Sequence, residues 1–585
     1  MKHLKSLLLF CILINIISCD NDKNIEMPTG VEMPASAINP IKFATDKAAY
    51  LPNGVVKFSI DNSVPATAKI RYRHLNETLQ ETDVQGKSWT WQVPSNDFAG
   101  YMVEIYNTEN GREIIYGTIG VDVSSDWKKF PRYGFLSKFP LLSDQQMDLI
   151  IENLTRFHIN GLQFYDWTEK HHKPLAGTIE NPAESWMNIA NRPTYKPTIE
   201  KYIDKAHQKG IIAMSYNLCY GALHDAIDDG VQNEWYMYDD ANHNHKTVFD
   251  IGKFLKSPIY LTDASNTNWQ QYIAQRNAEM YAIYNFDGFH IDQLGDWGSK
   301  YTYHGKTINI ANTYGSFIAS MKDAHPDKRL VMNAVNQYGQ QGNIGNSATD
   351  FLYTEVWSPN ENYSDLATII KNNTQYSNNT KNTVLAAYIN YDMAENAGRF
   401  NKNSVLFADA VIFAFGGAHL ELGEHMLGKE YFPNSNLQMT QDLQKSLISY
   451  YDFSVAYQNL LRGGGAFNNP SLQCTNNDVS IAAWPPQTGS ISMIAKSVDN
   501  KQVLHFINFE TNSLDWRDTN GTKPTPNTLQ NIEIAYETTQ TINKVWFASP
   551  DVVFGKAFNL DFWQDGTQVK FIIPSLQYWD MIVLE

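Results

Sequence analysis

Three regimes of hydrophobic patterning divide the chain. Between residues 41 and 125 apolar and polar positions alternate in short runs: Val56, Phe58 and Ile60; Trp89, Trp91 and Val93; Tyr101, Val103 and Ile105. A period of two sends successive side chains to opposite faces of a strand, and Asn53-Gly54 and Asn110-Gly111 supply turns between the runs. This region is predicted to be an immunoglobulin-like β-sandwich. From 126 to 463 the pattern becomes buried strands alternating with amphipathic helices. Ser143 and Gln146 stand in capping-box register, and Met147, Ile150, Ile151 and Leu154 then share one helical face. Eight apolar runs read as buried strands, at 132–138, 161–167, 211–218, 288–293, 330–335, 351–356, 384–390 and 415–422. Separated by helix-length segments, they predict a central (β/α)8 TIM barrel with its chemistry at the C-terminal strand ends. From 464 to 585 alternation returns, at Ile532, Ile534 and Tyr536 and again at Val569, Phe571 and Ile573. That predicts a C-terminal β-sandwich, with the apolar chain end from Trp579 to Leu584 paired as a strand.

The first 18 residues follow a different pattern. Lys2 and Lys5 precede an apolar stretch from Leu7 to Ile17, and Ser18-Cys19 closes it. The stretch is too short to span a bilayer and carries signal-peptide flanks. A small residue followed by Cys resembles the bacterial lipoprotein signal, which implies cleavage and lipidation of Cys19. Residues 19–40, with Asp20, Asn21, Asp22, Pro28, Pro34 and Pro40, read as an extended tether. The expected location is the outer membrane of a Gram-negative bacterium, lipid-anchored at the cell surface.

Composition narrows the partner. With 46 basic against 62 acidic residues, a net charge of −16 and no basic run, the chain does not suit phosphate neutralisation, so nucleic acid is excluded. Charged residues are only 18%, yet there are 14 Trp, 32 Tyr and 29 Phe, a balance suited to a neutral, flat-faced ligand such as a sugar. Beyond the leader only Cys219 and Cys474 accompany Cys19, which makes neither a disulfide framework nor a zinc site.

Acidic residues at the predicted strand ends carry the candidate chemistry. Asp292 ends the fourth run and Glu355 the sixth. Glycosidic cleavage needs two such carboxylates, one protonated to donate to the leaving oxygen and one ionised at the anomeric centre. Alternatively, both are structural partners of a nearby Arg or of backbone amides. Asp166 ends the second run and can accept from two sugar hydroxyls, with His171 and His172 in the loop beyond. A His-His pair near an Asp could also bind metal, but no further ligand cluster accompanies it, and no metal or cofactor is expected. Tyr165, Trp167, Tyr216, Tyr220, Trp297 and Trp357 stand where sugars could stack, or where walls and core need aromatics. Asn217, Gln293, Asn333 and Asn390 could bind hydroxyls or close loops; Asp392 and Glu421 could fix a hydroxyl or be solvated; Met393 and Met426 read as packing.

Several segments together resemble glycoside hydrolase family 66, the dextranases and cycloisomaltooligosaccharide glucanotransferases. They are Leu162-Gln163-Phe164-Tyr165-Asp166-Trp167 with His171-His172-Lys173-Pro174, Ala213-Met214-Ser215-Tyr216-Asn217, Gly288-Phe289-His290-Ile291-Asp292, and Tyr353-Thr354-Glu355-Val356-Trp357. The resemblance implies retaining cleavage of α-1,6-glucans, with Asp292 as nucleophile and Glu355 as general acid/base. It implies dextran and isomaltooligosaccharides as partners, held by Tyr165, Asp166, Trp167, His171, His172, Tyr216, Asn217, Gln293, Trp357 and Asn390. The cyclising transferases of the family carry a carbohydrate-binding module inserted in the catalytic region; only about 28 residues separate the sixth and seventh runs here, too few to hold one. An endo-acting dextranase is therefore expected. The alternatives are a transglycosylating or other α-glucan-active member, and a catalytically inactive surface glycan-binding lipoprotein.

Overall fold

The computed structural model describes residues 27–585 apart from 29, 477 and 478, so the leader, Cys19 and the first part of the tether lie outside the described residues. Eight short parallel strands organise the middle of the chain: β1 (Tyr133–Leu136), β2 (Gly161–Phe164), β3 (Ile212–Leu218), β4 (Gly288–Asp292), β5 (Arg329–Met332), β6 (Leu352–Glu355), β7 (Thr383–Ala386) and β8 (Gly417–His419). The first five pair in chain order as one parallel run, and the last three as another. Single parallel bridges, Asn333–Tyr353 and Phe135–Gly423, link the two runs. β1 and β2 are buried at every position, as strands covered on both faces must be.

Helices follow most of these strands. Asp144–Arg156 begins at Ser143, whose side chain accepts from the Gln146 amide while Gln146 reaches back to the Ser143 backbone, and it buries Met147, Ile151 and Leu154. This two-way cap satisfies donors that the first helical turn otherwise leaves unpaired. The connection from β5 to β6 departs from the expected pattern. It holds only the short turns Val335–Gln337 and Gln340–Ile344 in place of an α-helix. Asn336 and Gln337 have φ of 48° and 61° and Gly339 has φ of 74°, a left-handed stretch that no α-helix tolerates. At Gly339 a Cβ would come within 2.5 Å of the Tyr314 ring, so the position also needs the missing side chain.

Before β1, strands pair in two sheets, one of five and one of three, with Val56, Phe58, Ile60, Trp91, Tyr101, Val103 and Ile105 buried between them. The tether expected to reach residue 40 is already pinned at Ala35–Ser36, which pairs in parallel with Ile114–Ile115. Strand formation there satisfies backbone groups that an extended tether would leave to water. After β8, a seven-stranded and a four-stranded sheet form, and Trp579–Leu584 lies between Lys501–Asn508 and Val545–Ala548. The apolar chain end is thus an interior strand. From this last region a loop turns back: the Arg517 guanidinium donates to the Val356 carbonyl at 2.9 Å, and Trp516 Nε1 to that of Asn360 at 2.7 Å.

Candidate active site

The C-terminal ends of β2, β4 and β6 open onto a cavity of about 620 Å³. Asp292 is the last residue of β4 and Glu355 the last of β6. Both line the cavity, as do Tyr165, Asp166, His171, Tyr216, Gln293 and Trp357. Asn333, one residue beyond β5, joins the two acids. Its Nδ2 donates to Asp292 Oδ1 at 2.9 Å and to Glu355 Oε2 at 3.1 Å, and its Oδ1 accepts from the Glu355 amide at 3.3 Å. One amide nitrogen has two hydrogens, so both bonds form together. The bridged oxygens consequently lie within about 6 Å of one another.

The two acids are solvated differently by the protein. Asp292 receives the Tyr216 hydroxyl and, at 2.8 Å, the Gln293 amide in addition to Asn333. Burial raises its pKa, while these three donors favour the charged form and pull against that rise. Glu355 receives Tyr388 Oη at 2.6 Å and Asn333. Burial first, and the Asp292 charge second, push its pKa up to about 7. Near neutral pH the pair can therefore hold one proton on Glu355 and a negative charge on Asp292, the division of labour that acid-assisted displacement requires. Asp166, at φ 47°, is also pushed to about 7, chiefly by burial, with the Arg192 charge working against it and the Asp292 charge with it.

His171 is shaped for binding. Its Nδ1 meets Asn217 Oδ1 at 2.6 Å, and that oxygen also accepts from the Leu218 amide, so Nδ1 carries the hydrogen. This leaves Nε2 as an acceptor, buried and without a partner, in a ring that lines the cavity. Burial lowers the His171 pKa to about 4, which keeps the ring neutral. Gln163 Nε2 is likewise buried and unpartnered in the cavity wall. Two orphaned groups of opposite polarity suit a ligand bearing hydroxyls, which both donate and accept.

Four expected binding residues lie elsewhere. Trp167 is fully buried in the main core and gives its Nε1 to Ser215 Oγ at 3.2 Å, because a large indole so close to β2 fills the layer beneath the helices. His172 is also sealed: its Nδ1 accepts from the Leu223 amide at 3.2 Å, and its Nε2 donates to Asp229 at 3.1 Å. Asn217 does not line the cavity and acts through His171. Asn390 donates to the Asp518 carbonyl at 2.8 Å and accepts from the Asn401 amide at 2.8 Å, fastening the returning loop of the C-terminal region. Gln293 does line the cavity, but its Oε1 already accepts from Gly295 and Tyr314. Among the other aromatics, Tyr220 is buried and takes the Leu294 amide on its hydroxyl, and Trp297 contacts Phe249 outside the cavity wall.

Two groups among the described residues place three potential metal-ligating atoms close together. In His172, Asp225 and Asp229 both imidazole nitrogens are engaged, and Lys170 sits 2.7 Å from each carboxylate, so an ammonium already supplies the charge. The second, Asp409, His419 and Glu421, is buried between the end of β8 and the helix Lys402–Ala414, and none of the three lines the cavity. Glu421, expected to meet a sugar or water, does neither.

Residues that the sequence reading left out complete the site. Tyr388 follows β7 and holds Glu355; His290 lies in the cavity floor; Arg192 stands 5.6 Å from the Tyr431 ring; and Glu430, Tyr431 and Phe432 form a wall beyond β8, with Phe432 stacked on Tyr165 at 4.4 Å. Tyr388 falls inside the predicted run 384–390, and only the structure, which ends β7 at Ala386, brings it to the strand end.

An acid pair bridged by one amide, in a cavity floored by aromatics, is the equipment of an enzyme that works on glycosidic bonds. Residues 45–583 match the family model for glycosyl hydrolase family 66, and the chain belongs to that family. A cycloisomaltooligosaccharide glucanotransferase of Niallia circulans is 26% identical over 92% of this chain and 71% of its own length. A dextranase of Streptococcus salivarius is 24% identical over 83% of this chain and 67% of its own. The crystal structure of a Paenibacillus sp. cycloisomaltooligosaccharide glucanotransferase complexed with cycloisomaltoheptaose superposes with a TM-score of 0.85 at 25% identity. It covers 94% of this chain and 100% of that one.

Proposed function

We propose that the protein is a retaining, endo-acting hydrolase of α-1,6-glucosidic linkages in dextran. Asp292 attacks the anomeric carbon while Glu355 protonates the departing oxygen, giving a glycosyl-enzyme ester on Asp292. Glu355, now a carboxylate, takes a proton from the incoming water, whose oxygen displaces Asp292 and restores it. The observation that carries this reading is the Asn333 bridge, whose short span between the two carboxylates suits a nucleophile and an acid/base acting on one carbon. Esterification removes the Asp292 charge, so Glu355 becomes more acidic at the moment it must serve as base. The eight strands are read here as one (β/α)8 barrel closed at the two single bridges, flanked by β-sandwiches at 41–125 and 464–585. His171 Nε2 and Asp166 are assigned to sugar hydroxyls, and Tyr165, Tyr216 and Trp357 to the aromatic wall beside the sugar.

The named activities of the relatives, a dextranase and glucanotransferases, support α-1,6-glucan as substrate. Hydrolysis is favoured over cyclisation because the alignment with the transferase extends over 703 residues although only 92% of this chain takes part, so much of the transferase has no counterpart here. Transfer to an acceptor sugar is the second reading, since it shares the same ester. The leader and Cys19 support anchoring of the mature chain to an outer membrane. The test is incubation of residues 20–585 with dextran, sizing the products over time. Early isomaltooligosaccharides with rapid loss of viscosity are expected. Cyclic or lengthened products would assign transfer, and retardation in a dextran gel without products would assign a binding protein.

A further inference from the structure

The segment 248–259 leaves the strand Val248–Phe249, makes the turn Gly252–Phe254 and returns at Ile259–Leu261. It brings Phe249, Ile251, Phe254 and Leu255 to the cavity wall, and two of them stay open to solvent, Ile251 at 46% and Phe254 at 43%. Exposed apolar side chains bordering a cavity mark a surface that a ligand covers. The backbone beneath them is pinned. The Lys256 amide donates to the Ile189 carbonyl at 2.7 Å, Lys256 Nζ to that of Met187 at 3.0 Å, and Asn191 Nδ2 to that of Phe254 at 3.4 Å. Phe254 is thus displayed by a fastened turn. Its ring meets Tyr431, from the wall beyond β8, edge to face at 4.7 Å and 78°.

We propose that Phe254 and Tyr431 form a distal glucose subsite at the lip of the cavity, on the Asp166 side, for the part of an α-1,6-glucan that remains on the enzyme after cleavage. The proposal rests on the glucan-cleaving role given to Asp292 and Glu355. The side follows from that chemistry. The departing sugar lies on the Glu355 side, because Glu355 protonates its oxygen, so the retained chain takes the rest of the cavity, whose wall carries Asp166 beyond β2. The pair spans that end: Phe254 comes from the segment after β3 and Tyr431 from the one after β8. A glucose ring has an apolar C–H face, which an aromatic ring covers, and a hydroxyl rim, which the neighbouring Arg192 and Asp166 can meet. The patch is continuous with the cavity wall, so the occupant must be the chain that fills the cavity; a protein or membrane seated there would block it.

The test compares kcat/KM on isomaltooligosaccharides of increasing length, and on dextran, for wild type, F254A, Y431A and F254W. In F254A and Y431A the loss should grow with chain length, reaching about fivefold once the substrate reaches the lip, and F254W should recover most of it. An equal loss at every length, or no loss on the longest chains, would overturn the subsite. Calorimetry with D292A and D292A/F254A separates this from the function itself. If wild type cleaves no α-1,6-glucan, the functional reading fails. If wild type cleaves but F254A leaves the binding of long chains by D292A undiminished, the subsite alone fails.

Discussion

The molecule contains two buried pairs of carboxylic acids, one at the ends of β4 and β6 and one made by Asp409 of the helix Lys402–Ala414 with Glu421 just past β8, and they have opposite fates. Asp292 and Glu355 face a cavity and are met by four donors, Tyr216, Gln293, Asn333 and Tyr388. Asp409 and Glu421 are sealed against each other, with His419 Nδ1 at 2.8 Å from Asp409 and 3.5 Å from Glu421, and the Tyr451 hydroxyl at 2.9 Å from Glu421. The Ala387 carbonyl can only accept, so His419 Nε2 carries a hydrogen and is committed to it at 2.8 Å. Burial raises the pKa of all four acids. An elevated pKa therefore does not by itself distinguish an acid that a ligand can reach from a sealed one. The difference is made by access and by donors that keep one member of the pair charged.

The largest effect should come from removing the chemistry itself. D292A or E355Q is expected to lower turnover of dextran by about three orders of magnitude or more, with circular dichroism unchanged. Near-native rates in either would dissolve the contrast between the two pairs. A smaller effect should come from one donor. Tyr388 holds the ionised form of Glu355, so Y388F should raise a pKa already near 7, and the alkaline limb of kcat/KM, where the acid loses its proton, should move up by about one pH unit or more. A limb that stays put would detach Glu355 from that limb. The smallest concerns the sealed pair. Its folded-state pKa values lie above the unfolded ones, so the folded chain holds protons that the unfolded chain releases, and stability falls as pH rises above the ordinary carboxyl range. E421Q removes part of that linkage. Between pH 5 and pH 8 its melting temperature should fall less than that of wild type, by about 1–3 °C, while activity stays within about twofold. A large loss of activity would place Glu421 in the catalytic machinery.

What could be read from the sequence divides along similar lines. The positions of the eight parallel strands, the Ser143 cap and the two acids follow from periodicity and strand ends, which are local properties. The segment from Asn333 to Asp350 is helix-length by spacing but not helical, because length alone does not reveal four residues in left-handed conformation. His171 and His172 show the limit most clearly. They are adjacent and chemically identical, yet one ring opens to the cavity through Asn217 on β3 and the other is clamped by Asp229 and Leu223. The partners that decide this are about 50 residues away in the chain. Asn390 was misassigned for the same reason, since Asp518 and Arg517 belong to another region altogether.

That returning loop has a consequence for how the protein is made. The backbone after β6 is held by Arg517 and Trp516, and the Arg517 guanidinium lies 5.3 Å from the Trp357 ring in the cavity wall. During synthesis from the N-terminus, both acids leave the ribosome well before residue 517, so an emerging chain carries its chemistry before it carries the brace for that wall. The brace of that wall therefore comes from the last region of the chain, and the middle region cut free would lack it.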